Sequence, residues 1–78
     1  MSKSILLTEN DLMALAKKHR KATGKTRATV ARELGVARPT VVQAEENPEQ
    51  SLTKLRIRII ETYSSYKITG SWYKLETK

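Results

Sequence analysis

Apolar positions recur at helical spacing along most of the chain and give way to a strand-like pattern near its end. Leu12, Leu15, Ala16 and His19 fall at i, i+3, i+4 and i+7, one face of a helix expected from Glu9 to Ala22. Thr8 and Asp11 have the spacing of a capping box at its start, and Glu9 and Asp11 suit the positive helix end. Gly24 stops it. Thr26 can cap a second, shorter helix in which Val30, Ala31 and Leu34 form an apolar stripe. Gly35 fits a left-handed residue that closes this helix without a Cβ penalty, and Val36 is the apolar residue of the turn. A third helix starting near Arg38 or Pro39 puts Val41 and Ala44 inward. Ala31 is small enough to let the third helix cross close to the second.

Asn47-Pro48-Glu49-Gln50 reads as a turn, since Pro48 disfavours a helical Asn47. Ser51 is the expected cap of a fourth helix, whose stripe is Leu52, Leu55, Ile59, Ile60 and Tyr63. The same stretch also alternates, with Arg56 and Arg58 between Leu55, Ile57 and Ile59, which is strand-like; the cap and the length favour helix. All three Tyr and the single Trp lie from Tyr63 onward. Tyr66–Ile68, Thr69-Gly70-Ser71 and Trp72–Leu75 read as strand, turn and strand. One hairpin is marginal in water. It needs packing, a third strand from Ile5–Leu7, or a strand from a partner. The expectation is one domain over 1–78, mainly α, with about four helices over 8–63 and a β-like extension over 64–78.

The run A-x-E-L-G-V-x-x-x-T-V-x-x-x-E, from Ala31 to Glu45, resembles the Xre/Cro/lambda-repressor-like family of helix-turn-helix proteins. The likeness extends from about Leu12 to Leu55. It implies duplex DNA as partner, read in the major groove by the helix near residues 38–46. It places Arg38, Pro39, Val42 and Gln43 on the outward face, with Thr40 at the edge. The Arg38 fork can donate to guanine O6 and N7, Gln43 matches adenine N6 and N7, and Pro39 and Val42 offer apolar contact to thymine methyls. Arg27, at the start of the second helix, would meet a phosphate together with the amides of that terminus. Lys25, Thr40 and Lys54 are further phosphate candidates of lower rank.

The same resemblance implies an ion pair between Arg20 and Glu45; the alternative is two solvated surface charges. Two positions depart from the family pattern. Ala37 stands where Ser or Thr commonly caps the third helix. With Pro39 disfavouring a helical Arg38, that helix is expected to start one residue late. Lys25 stands where an apolar residue is common. Cro-type proteins add strands to such a core and dimerise through them, which makes Tyr66, Ile68, Trp72 and Tyr73 the candidate dimerisation residues.

Composition narrows the partners. The chain has 78 residues, 38% of them hydrophobic and none Phe, so its core is small and a homodimer is attractive. There is no Cys, and one His cannot build a zinc site, so no metal or cofactor is expected. His19 reads as a packing residue. Ile5-Leu6-Leu7 is too short for a signal peptide or a membrane span, which gives a cytoplasmic expectation with no membrane partner. Net charge is +7 with a pI near 10.0. Residues 1–25 carry +4, residues 26–46 carry zero and residues 47–78 carry +3. The surplus therefore flanks the reading unit, which suits phosphate gripping, although solubility alone also calls for charge.

Nothing in the sequence forms a catalytic constellation. Glu45 and Glu46 are adjacent on a helix, so their carboxylates diverge. The leading reading is a transcriptional regulator, a repressor, binding a palindromic operator as a homodimer. Two rivals stand beside it: an antitoxin that neutralises a protein toxin and autoregulates through the same unit, and an interaction module without DNA binding.

Overall fold

Local signals set most of the element boundaries. The structure, a computed structural model, describes residues 5–69 and 74–77. It is mainly helical, with elements β1 (Ile5–Leu6), α1 (Glu9–Ala22), α2 (Arg27–Leu34), α3 (Arg38–Glu46), α4 (Thr53–Tyr63), β2 (Tyr66–Thr69) and β3 (Lys74–Thr77). The capping box forms: the Asp11 amide donates to Thr8 Oγ1 at 3.1 Å and the Thr8 amide to Asp11 Oδ2 at 2.9 Å. Thr26 caps α2 through the Thr29 amide at 3.1 Å. Gly35 closes α2 at φ +70°, and the next amide, Val36, donates back to the Ala31 carbonyl at 2.9 Å. This is the geometry a left-handed glycine permits.

α3 does not start late. Arg38 is already helical, with Ala37 as an N-cap that offers no side-chain bond. The Ala37 carbonyl closes the first turn by accepting from Thr40 at 3.0 Å and Val41 at 3.4 Å. Pro39 loses nothing there, because a first-turn amide has no partner within the helix anyway.

α4 settles the helix-or-strand ambiguity as helix, but Ser51 is not its cap. Leu52 holds that position without a side-chain bond. The Leu52 amide donates to the Gln50 carbonyl at 2.9 Å, and its half-buried side chain packs on the core, which delays the helix by one residue.

Among the described residues ten make the core: Leu12, Ala16, Val30, Ala31, Leu34, Val41, Ala44, Leu55, Ile59 and Ile60. α1 lies against α3 and α4, and α2 crosses α3. The strands form an antiparallel sheet in the order β1-β3-β2. The third strand anticipated from Ile5–Leu7 is therefore present as Ile5–Leu6. The second hairpin strand is described over Lys74–Thr77, with residues 72 and 73 of the expected strand outside the described residues, and Thr69, expected in the turn, belongs to β2 and pairs with Lys74. In this register Leu75 pairs with Ile5 on one side and with Ile68 on the other.

The outer edge of β2 is occupied from within. The Tyr66 amide donates to Ser64 Oγ at 3.1 Å and the Ile68 amide to Glu61 Oε2 at 2.9 Å. The side chains of Tyr66 and Ile68 pack on this chain's own core. Trp72 and Tyr73, the other two residues named for dimerisation, lie outside the described residues. No helix among the described residues is long and apolar enough to cross a membrane.

Candidate functional site

α3 presents a polar face between two recesses. Val41, Ala44 and Glu45 turn inward, Arg38, Pro39 and Gln43 are exposed, and Thr40 and Val42 are half-buried. On the α1–α2 side lies an open groove of about 660 Å³, lined by Lys17, Arg20, Lys21, Arg27 and Arg38 together with Thr26 and Ala28. On the other side Pro39, Thr40 and Gln43 line a smaller recess with Gln50 and Leu52. It adjoins the start of α4, where Ser51, Thr53 and Lys54 border a further depression. Gln43 accepts from Asn47 Nδ2 at 3.0 Å, so its own NH₂ remains directed elsewhere.

The expected Arg20–Glu45 pair forms and is buried. Arg20 Nε lies 2.6 Å from Glu45 Oε2 and Nη2 lies 3.0 Å from Oε1, a bidentate contact. Its remaining Nη1 donates to the Lys25 carbonyl at 2.9 Å. Glu45 is 2% exposed, so the carboxylate depends on these donors for the solvation it has lost.

The side chain of Arg27, expected to meet a phosphate, is engaged by carboxylates of α3. Its Nε donates to Glu45 Oε1 at 2.9 Å, and its Nη2 pairs with Glu46. The Glu45 hydrogen bond holds the guanidinium pKa above its ordinary value. Lys17 completes the cluster, with Nζ 2.6 Å from Glu46. Lys17 first, then Arg27, hold the Glu46 carboxyl below the usual carboxylate range.

Lys25 does not line the groove. Its ammonium pairs with Glu33 at 2.7 Å and sits 5.8 Å from the centre of the Tyr63 ring. Glu33 also accepts from the Tyr63 hydroxyl. Lys25 and Tyr63 together lower the Glu33 pKa, while burial and then Glu33 push the Tyr63 hydroxyl up to about 12. Glu33, eight residues along the chain, is what draws Lys25 away from the groove. Lys54 is exposed on the first turn of α4, where a phosphate role requires it to be.

His19 packs as expected: its ring lies 5.8 Å from that of Tyr66 at 55°. Its Nε2 is buried without a hydrogen-bond partner, and burial followed by Lys18 lowers its pKa.

Arg56 is the residue the sequence pattern hid. It is fully buried. Nε donates to the Ala44 carbonyl at 2.8 Å, Nη2 to the Asn47 carbonyl at 2.7 Å and Nη1 to Glu9 Oε1 at 2.9 Å. The Thr53 hydroxyl lies 2.9 Å from both Glu9 oxygens. A signal did exist: Arg56 stands four residues after Leu52 and four before Ile60, on the apolar stripe itself.

Among the described residues no group of His, Asp and Glu is arranged to hold a metal ion. Comparison of the chain with family models, with curated proteins and with solved structures gives no match.

Proposed function

We propose that this chain is a helix-turn-helix regulator of the Xre/Cro/lambda-repressor-like type, a repressor that inserts α3 into the major groove of duplex DNA. The observation that carries the reading is the placement of α3's outward face. Arg38 and Gln43 stand exposed on it, a basic groove borders it on one side, and the start of α4 with Lys54 borders it on the other.

The chemistry of each part fits. Arg27 and Ala28, the first two residues of α2, line the groove at the positive end of that helix. α4, unlike α2, begins without a side-chain cap, which leaves first-turn amides to meet a second phosphate. Phosphates held on both flanks would fix the register, and Arg38 and Gln43 would supply base discrimination of about 1–3 kcal/mol for each good bidentate contact. Two copies on a palindromic operator would present their α3 helices about 34 Å apart.

Selection from random duplex DNA followed by footprinting tests this reading. The expected result is a palindromic consensus with half-sites about one helical turn apart. No enrichment over random sequence would overturn it.

A further inference from the structure

Two of the cations that line the groove are already paired with a carboxylate. Glu46, the last residue of α3, lies between Lys17 and Arg27, two of the cations lining that groove. It differs from its neighbour in what the fold requires of it. The Glu45 side chain is wholly buried, so it needs its arginines; the Glu46 side chain is 45% exposed and can be solvated by water instead.

The helix gives Glu46 no support either. A carboxylate at a helix C-terminus faces the negative end of the dipole, and the last turn of α3 contains no basic residue. Its partners come from α1 and α2, the elements that border the groove.

We infer that Glu46 is a built-in competitor for DNA phosphate: an internal anion that occupies Lys17 and Arg27 until a backbone phosphate displaces it. This inference rests on the DNA-binding reading above and assigns a residue that limits affinity at that same surface. A phosphate that approaches Arg27 competes with Glu46 for the charge of the guanidinium and for its Nη2 donor. The released carboxylate then takes up a cation from solution, which offsets one of the cations the DNA gives off. Phosphate contacts are blind to sequence. Glu46 therefore weakens binding to every duplex alike and holds down occupancy of random DNA, while the consensus stays the same.

The test compares the full chain, its Glu46→Gln variant and its Glu49→Gln variant. Glu49 is exposed in the turn after α3, so its substitution makes the same change in net charge away from the groove. Each protein is titrated over a series of salt concentrations against its selected duplex and against a random-sequence duplex. Glu46→Gln should bind both duplexes about three- to ten-fold more tightly, with a salt slope steeper by about one. Glu49→Gln should change affinity less and leave the slope as it was.

Unchanged affinity and slope in Glu46→Gln, with the wild type binding normally, would overturn the competitor role and leave the DNA-binding reading standing. An equal gain in Glu49→Gln would also overturn it, because long-range charge would then be sufficient. Failure of all three proteins to bind either duplex would remove both the inference and the reading beneath it.

Discussion

The C-terminal end of α3 is held by arginines on two sides, and the two grips differ in kind. On the α1–α2 side, Arg20 and Arg27 converge on a side chain, the Glu45 carboxylate. On the α4 side, Arg56 binds backbone, the carbonyls of Ala44 and Asn47, and reaches Glu9 with its remaining arm. Both place positive charge where the helix dipole is negative. The first grip opens onto a basic groove; the second is sealed in the core, with Arg56 wholly inaccessible. The Arg56 contacts can only anchor, whereas those of the α1–α2 side can both anchor and exchange partners with a ligand.

That contrast predicts unequal costs. Arg56→Ala should destabilise most, by about 3–5 kcal/mol in denaturant unfolding, because it leaves a void, removes the donor from the buried Ala44 carbonyl and takes the arginine from Glu9. Arg56→Met restores most of the volume and should recover part of that loss. Full recovery would show that packing, rather than the hydrogen bonds to the carbonyls, is what Arg56 contributes. Glu45→Gln should cost less, about 2–3 kcal/mol, since the amide keeps one acceptor and the arginines can turn toward the groove. A cost above that of Arg56→Ala would reverse the ranking of the two grips.

The smallest expected effect lies at the opposite end of α3, which is not gripped at all. Ala37 has the extended backbone of an N-cap but no side chain to use it, at φ −73° and ψ 145°. Ala37→Ser should stabilise by about 0.5–1 kcal/mol, seen as a rise of a few degrees in thermal unfolding. A fall would mean that the hydroxyl cannot reach the first-turn amides.

The same contrast explains what could be read in the sequence. The Thr8–Asp11 box and the Gly35 closure are local, so their residue types and spacing suffice. The Arg20–Glu45 pair joins two side chains, so a family resemblance can carry it. Arg56 has mainly backbone partners, and backbone carbonyls leave no trace in the residue types around them. The engagement of Arg27 by Glu46 depends on α2 and α3 crossing at close range, and sequence spacing cannot supply that. The place of Thr69 in β2 is hidden for a similar reason. Thr69-Gly70-Ser71 looks like a turn locally, but pairing with Ile5 and Ile68 on either side fixes the position of Leu75.

The surface proposed to meet DNA is α3's outward face, with the starts of α2 and α4 on either side. Backbone amide shifts recorded while a selected duplex is titrated into labelled protein map that surface residue by residue. The changes should concentrate at Thr26–Ala28, Arg38–Gln43 and Ser51–Lys54, while β2 and the His19 side of α1 stay near their starting positions. Changes centred on β2, or none at saturating duplex, would contradict this proposal.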